Sequence, residues 1–90
     1  MSSETTSRSE ILGRVEAIVA DVLMVPELKL EETTTARDVE GWDSLTHVQI
    51  IIAIEQAFAI RMTSTEVSRL ENAGSLVDVI QHHKARNGGG

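Results

Sequence analysis

The sequence changes character at Gly41-Trp42-Asp43-Ser44-Leu45, where a long polar connection gives way to the most apolar run in the chain. Residues 27–43 contain six acidic and two basic side chains, whereas residues 45–60 contain one acid, Glu55, and no base. A serine at such a junction is usually a helix N-cap, because its oxygen can accept a hydrogen bond from an unpaired backbone N–H of the first turn. The stretch therefore predicts a helix that begins at Asp43 or Ser44.

This helix is predicted to run to about Ile60 and has two apolar faces. At about 100° per residue, the broader face is typical of a helix packed on a core. It consists of Ile50, Ile51, Ile54, Ala57 and Phe58. A second apolar stripe lies on the Ser44 side, and a four-helix core cannot bury it fully. It consists of Leu45, Val48, Ile52 and Ala59.

The chain before this stretch predicts one helix and a long folded connection. Ser7 and Glu10 form a capping box, and the apolar spacing that follows is helical. The apolar stripe of this first helix consists of Ile11, Val15, Ile18 and Val22. Pro26 is expected to end it by clashing with the preceding turn. The connection, residues 25–43, has apolar anchors that we expect to tuck under the helices, namely Leu28, Leu30 and Val39.

The chain after this stretch predicts two further helices. Thr63 and Glu66 form a capping box for a third helix of about two turns. Ser75 and Asp78 form a similar cap for a fourth helix, which fades by Arg86. Its apolar face consists of Leu76, Val79, Ile80 and His83. The predicted fold is all-α, a four-helix bundle with a long first loop and a short third helix. We expect residues 1–6 to be disordered, residues 7–86 to form the domain, and the glycine-rich residues 87–90 to be a flexible tail.

Composition excludes several classes of function. The chain has 90 residues, which allow one small domain, and its net charge of −6 argues against nucleic-acid binding. With no cysteine, it has no disulfide and no thiolate nucleophile, so any sulfur chemistry must come from an attached group. His82 and His83 would point in different directions on a helix, and no metal site is predicted. No signal-peptide core or membrane span is visible, so we expect a cytoplasmic monomer.

The stretch also carries a family resemblance. Asp43-Ser44-Leu45 opens an aliphatic helix at mid-chain after a long connection, with Ile54, Glu55 and Phe58 downstream in an apolar-acidic-aromatic pattern. In these features the chain resembles an acyl carrier protein from about Ile11 to His83. The resemblance implies that Ser44 carries 4'-phosphopantetheine, transferred from coenzyme A by a separate magnesium-dependent transferase. The thiol of that arm would hold an acyl or aminoacyl group as a thioester, and the protein itself would catalyse nothing.

The residues around Ser44 each have two interpretations. The phosphodiester on Ser44 is expected to lie beside free N–H groups at the positive end of the helix dipole. Asp43 either caps the helix or assists attachment of the arm, and Trp42 either plugs the loop or contacts the arm. Two further sets complete the predicted site. Leu45, Val48 and Ile52 are either peripheral core or a docking surface for partner enzymes, and Asp38, Glu40 and Glu55 are acids that attract basic partners.

The chain differs from the fatty-acid type of carrier, in which the helix after the serine is rich in acidic residues. Here the matching positions are Thr46, His47, Gln49 and Gln56. This difference favours a carrier for a specialised polyketide, lipid, surface-polymer or aminoacyl pathway, with its own acyl-loading and acyl-transfer enzymes. The alternative is an unmodified helical interaction module that uses the Leu45, Val48 and Ile52 stripe.

Overall fold

The computed structural model describes the backbone of residues 7–89 and the side chains of residues 7–85. Four α-helices follow one another: α1 (Arg8–Leu23), α2 (Ser44–Phe58), α3 (Ser64–Ser68) and α4 (Ala73–Gly89). One turn of 3₁₀-helix, Ala36–Asp38, interrupts the first connection. No strand occurs in the part of the chain that the structure describes. The predicted all-α bundle with a long first loop and a short third helix is confirmed.

The two ends of the chain are only partly described. The predicted disordered stretch 1–6 lies outside the described residues, as does Gly90. The backbone of α4 stays helical to Gly89, past Arg86, where the sequence predicted that the helix fades. The flexibility of the glycine-rich end and the bounds of the domain stay predictions.

Helix α1 begins as predicted and ends just before the predicted connection. The Ser7 hydroxyl accepts from the Glu10 N–H at 3.2 Å, and the Glu10 carboxylate accepts from the Ser7 N–H at 3.3 Å. At the other end, Met24 is left-handed, with φ of 61°, and the Val25 N–H donates to the Ala20 carbonyl at 2.9 Å. This pattern is a Schellman end. Pro26 contributes by keeping the residue before it out of the helical region, so the helix closes at Leu23.

The core is aliphatic, as the composition requires. Its fully buried side chains come from α1, α2 and α4: Ile11, Val15, Val19, Ile50, Ile54, Val77 and Ile80. The predicted core face of α2 is correct except for Ala57, which is exposed and lies near the end of the helix. Val77 was not predicted, because the sequence placed its neighbours Val79 and His83 on the core face, and both are only half-buried.

Helix α4 is capped by Asn72, so the prediction of Ser75 as its cap is wrong. The Asn72 side-chain oxygen accepts from the Ser75 N–H at 2.8 Å, which makes Ser75 the third residue of the helix. An asparagine side chain reaches the N–H three residues ahead as well as a serine does. The cap thus lies three residues upstream of the predicted one.

The long connection is folded onto the helices, as predicted. Leu30 and Val39 are buried, and Leu28 is half-buried. The Leu30 N–H donates to the Glu16 carboxylate at 2.8 Å. Two loop carbonyls also accept from the start of α4, each at 2.8 Å: Thr34 from the Ala73 N–H and Glu32 from the Gly74 N–H. The loop therefore satisfies helix N–H groups that otherwise lack a partner.

Arg8 braces the connection from the outside. Its guanidinium donates to both Glu32 oxygens, at 3.0 and 2.7 Å, and also to Asp78 on α4. This contact with Arg8 lowers the pKa of the Glu32 carboxyl. The brace is solvent-exposed, so it fixes the loop's position more than it adds stability. Arg8 thereby ties the middle of the loop to α1 and α4.

Two glycines in helices are expected to respond oppositely to alanine. Around Gly13 a Cβ would meet nothing within 4 Å, whereas at Gly74 it would lie 3.0 Å from the Glu32 carbonyl oxygen. Gly13→Ala should raise the free energy of unfolding by about 1 kcal/mol, since alanine is the better helix former. Gly74→Ala should lower it by about 1–3 kcal/mol, because backbone must move. Urea denaturation of the two variants measures both, and equal effects would contradict the docking of the loop on α4.

Candidate functional site

The entrance of α2 is capped by Asp43, and Ser44 is the first residue of the helix. The Leu45 and Thr46 N–H groups both donate to Asp43 Oδ1 at 3.0 Å. In return, the Thr46 hydroxyl accepts from the Asp43 N–H at 2.9 Å and donates to the Gly41 carbonyl at 2.7 Å. The interpretation of Ser44 as a plain N-cap is therefore wrong. Of the two interpretations of Asp43, capping is observed.

The Ser44 side chain does not stabilise the start of α2. This side chain is exposed, and no described backbone group or side chain hydrogen-bonds its hydroxyl. A serine whose oxygen neither caps a helix nor satisfies a buried group contributes little to folding. The hydroxyl is thus open to an incoming enzyme, and a group attached to it would displace no protein contact.

The surroundings of Ser44 differ from the expectation in one respect. Asp43 already occupies the N–H groups of Leu45 and Thr46, so a phosphodiester would not find several free first-turn donors. The bond from the Thr46 backbone N–H, helped by the Thr46 hydroxyl and the Leu45 N–H, lowers the pKa of Asp43. The carboxylate is ionised at neutral pH, and it repels a second anion next to it. A phosphodiester at Ser44 would therefore point away from Asp43, toward solvent.

The cap predicts a pH-dependent contribution to stability. A carboxyl group whose pKa is lowered by folding stabilises the protein at pH values above its ordinary pKa, here 3.8. This contribution is lost as the pH falls through the lower pKa of the folded state. Asp43→Asn keeps a capping oxygen without the charge. The wild type should be more stable than this variant at pH 7, and the difference should shrink below about pH 4.

Urea denaturation from about pH 7 to pH 3 measures this difference. Asp21→Asn removes an exposed acid from α1 and controls for the change in net charge. A difference between wild type and Asp43→Asn that stays constant over the whole range would contradict an ionised cap.

Trp42 packs under the loop and is held by His47. The indole is half-buried against the core, and its Nε1–H donates to His47 Nδ1 at 3.0 Å. The two rings meet edge to edge, with centroids 6.2 Å apart and planes 29° apart. The interpretation of Trp42 as a loop plug is observed, and no observation tests its contact with an arm. The bond between Trp42 and His47 was not predicted from the sequence.

Both rings line a small recess beside the start of α2. This recess is also lined by Thr34, Leu70, Glu71 and Leu76. Its volume is about 30 Å³, room for about two water molecules.

The second apolar stripe of α2 is exposed, as predicted. The exposed fraction of the side chain is 71 % at Leu45, 55 % at Val48 and 48 % at Ile52. Leu45 follows Ser44 directly, so the stripe begins at the serine. Exposed aliphatic side chains in one row favour an interaction surface over peripheral core.

The predicted docking acids lie in different settings. Asp38 and Glu40 are exposed, and Asp38 accepts from the Thr35 N–H at 3.0 Å. Glu55 is half-buried, and its carboxylate accepts from the Met62 N–H at 2.9 Å, which ties α2 to the next connection. The structure thus places residues 42–45 together around the start of α2, whereas the Glu55 carboxylate is bound to the Met62 N–H. Among the residues that the structure describes, no cluster of acidic or histidine side chains could hold a metal ion.

Comparison with known proteins identifies the family. Residues 13–80 match the family model described as a phosphopantetheine attachment site. The chain is 38 % identical over 80 residues to the acyl carrier protein of Thermosynechococcus vestitus, covering 88 % of this chain and 98 % of that protein. It is a member of the acyl carrier protein family. A second relative, the acyl carrier protein of Acidothermus cellulolyticus, is 31 % identical over 82 % of this chain and 88 % of its own length.

The fold of this acyl carrier protein agrees with the identification. It matches the solution NMR structure of a holo acyl carrier protein from Geobacter metallireducens with a TM-score of 0.79 and 30 % identity. The match covers 84 % of this chain and 87 % of that one. The cofactor of this acyl carrier protein is covalent 4'-phosphopantetheine, as the resemblance implied. No helix among the described residues is long and apolar enough to span a membrane.

Proposed function

We propose that Ser44 carries the 4'-phosphopantetheine arm and that the thiol of the arm holds an acyl or aminoacyl group as a thioester. The observation that carries this proposal is the exposed hydroxyl at the first residue of α2, which no described group bonds. It lies inside the residues that match the attachment-site family. The chain has no cysteine, so the arm supplies the thiol. The protein carries its cargo and performs no chemistry on it.

The cap of Asp43 suits this role. It completes the first turn of α2 without the Ser44 side chain, so modification removes no hydrogen bond from the cap. The ionised carboxylate also turns the phosphodiester outward, where partner enzymes can reach the arm. Asp43 and Trp42 thus fix the backbone conformation around Ser44, where the arm is attached.

Partner enzymes dock on α2 beside the arm. The stripe of Leu45, Val48 and Ile52 supplies apolar contact, and Asp38, Glu40 and Glu55 supply negative charge for basic partner surfaces. The partners are a phosphopantetheinyl transferase and the enzymes that load and remove the acyl group. We place the protein in the cytoplasm as a monomer.

The composition of α2 supports a specialised pathway. Its exposed face offers Gln49 and Gln56 beside three aliphatic side chains, and its one acid, Glu55, is engaged with Met62. A partner selected by this helix therefore relies on apolar contact more than on charge. Enzymes of polyketide, modified-lipid, surface-polymer or aminoacyl pathways are the candidates.

The attachment is tested by intact mass. The unmodified protein, incubated with coenzyme A, magnesium and a broad-specificity transferase, should gain the mass of one phosphopantetheine. Ser44→Ala should gain nothing. Ser64→Ala is the matched control, because Ser64 is also the exposed first residue of a helix capped by the residue before it. Modification of Ser44→Ala, or none of the wild type by an active transferase, would overturn the proposal.

The exposure of the stripe also favours a second candidate, an unmodified module that binds an amphipathic partner helix. That module would keep its function in cells with Ser44→Ala and lose it with Val48→Glu. Loss of function with Ser44→Ala, in a variant that folds, excludes it.

A further inference from the structure

One threonine hydroxyl on α2 holds the backbone that precedes Ser44. Thr46 Oγ1 accepts from the Asp43 N–H at 2.9 Å. A hydroxyl has a single proton to donate, and the nearest acceptor is the Gly41 carbonyl at 2.7 Å, ahead of Asp43 Oδ1 at 3.2 Å and the Asp43 carbonyl at 3.3 Å. The hydroxyl therefore bonds the backbone on both sides of Trp42, as a donor before it and as an acceptor after it.

These two bonds are separate from the cap that the Asp43 side chain provides. The Asp43 carboxylate accepts from the backbone N–H groups of Leu45 and Thr46, which are present whatever the side chain at position 46. A variant without the Thr46 hydroxyl therefore keeps the cap of α2, whereas the Gly41 carbonyl and the Asp43 N–H lose this partner. Gly41 and Asp43 are exposed, so water can take the place of the hydroxyl without holding the chain in one path.

Gly41 shapes the same bend from its other end. Its φ is 91°, in the region that residues with a side chain rarely adopt. A Cβ at this position would lie 3.9 Å from Leu23 Cδ2, which is ordinary contact, so the backbone conformation and not the space requires glycine. The conformation of Gly41 and the Thr46 hydroxyl together give residues 41–43 one path into α2.

Ser44 depends on this path because its own side chain makes no contact that would fix it. The place of its hydroxyl beside the stripe of Leu45, Val48 and Ile52 is set by the backbone of residues 41–46. An enzyme that transfers a group needs the reacting oxygen within a narrow range of positions. A backbone that is already ordered meets this need before the enzyme binds, so less order has to be imposed in the complex.

We propose that Thr46 is a positioning residue for attachment of the arm, whose hydroxyl holds the Gly41 carbonyl and the Asp43 N–H so that Ser44 meets the transferase in one orientation. The proposal rests on the attachment proposed for Ser44. In that reaction the Ser44 oxygen bonds to the phosphorus next to the pantetheine group of coenzyme A, the pyrophosphate bond breaks, and adenosine bisphosphate leaves. The hydroxyl proton of Ser44 passes to a base of the transferase. Thr46 takes no part in these bonds and acts through the backbone.

The kinetics of loading by the transferase test this role. Thr46→Val removes the hydroxyl and keeps the branched side chain, the Asp43 cap and the stripe. It should lower kcat for phosphopantetheine addition about tenfold or more, because the bound carrier presents Ser44 less often in the reactive position. KM should stay within about twofold of the wild-type value, because the docking surface is intact. Thr46→Ser restores the hydroxyl and should restore kcat.

Thr34→Val is the matched control for the lost hydroxyl. The Thr34 hydroxyl accepts from the Glu31 N–H, also three residues back and also at 2.9 Å, so this variant loses the same kind of bond away from residues 41–46. Its kcat should equal that of the wild type. A wild-type kcat in Thr46→Val, an equal fall in both valine variants, or no recovery in Thr46→Ser would overturn the proposal.

Amide hydrogen exchange in the unmodified protein tests the bonds themselves. In Thr46→Val the Asp43 amide should exchange several-fold faster than in the wild type, because its acceptor is gone. The Leu45 amide still donates to Asp43 Oδ1 and should exchange at the wild-type rate. Faster exchange at both amides would mean that the start of α2 frays, and would overturn the positioning role. Failure of the wild type to accept any arm from an active transferase would instead refute the attachment at Ser44 and leave the exchange result standing.

Discussion

Replacing Ile54 by alanine is expected to lower the free energy of unfolding by about 2–5 kcal/mol. Ile54 is fully buried in the C-terminal half of α2, and the substitution removes three carbon atoms from a close-packed site. In a domain of 90 residues this loss is a large part of the total stability. Urea denaturation followed by circular dichroism measures it.

Ile52→Ala is the matched control for that experiment. It makes the same chemical change two residues away on the same helix, at a side chain that is 48 % exposed. Its effect should be no more than about 1 kcal/mol, because half of the side chain is already in water. If the two variants were equally destabilised, the stripe of Leu45, Val48 and Ile52 would belong to the core and the proposed docking surface would fail.

Replacing Val48 by glutamate is expected to lower kcat/KM for loading by the transferase about tenfold or more, with stability unchanged. Val48 is 55 % exposed in the middle of the stripe, next to the proposed attachment site. Burying an unpaired carboxylate against an apolar partner surface costs more than the 1.4 kcal/mol that corresponds to tenfold. The initial rate of phosphopantetheine addition, followed by intact mass, measures the effect.

Gln49→Glu is the control for the added charge. Gln49 is exposed on the same helix outside the stripe, so this variant carries the same net charge with the stripe intact. It should be loaded at nearly the wild-type rate. Equal defects in the two variants would mean that charge on α2, and not apolar contact, governs docking.

The sequence predicted the fold well where local chemistry decides it. The capping boxes of α1 and α3 were read from Ser7 with Glu10 and from Thr63 with Glu66, because each pair acts within a single turn. The exposed stripe on α2 followed from helical periodicity, and its exposure is confirmed. The errors arose where contacts outside the helix decide. Ala57 is periodic with the core yet exposed, although the next residue, Phe58, is buried.

The candidate site was predicted in outline and missed in its hydrogen bonds. Asp43 and Thr46 form a capping pair within one turn, so their spacing in the sequence could have predicted the cap. The cap was assigned to the neighbouring Ser44 instead. The bond between Trp42 and His47 had no comparable signal. It requires the loop to fold back on α2, which depends on Leu30, Val39 and the contacts with α4. The attachment at Ser44 stays a prediction.

The most direct test of the carrier proposal is the intact mass of the protein isolated from its own source, with fragmentation to locate any modification. The expected result is a mass that exceeds the unmodified chain by phosphopantetheine, with or without an acyl group, and a modified fragment containing Ser44. An acyl group that survives isolation would also identify the cargo. An unmodified Ser44 in cells with an active transferase would contradict the account.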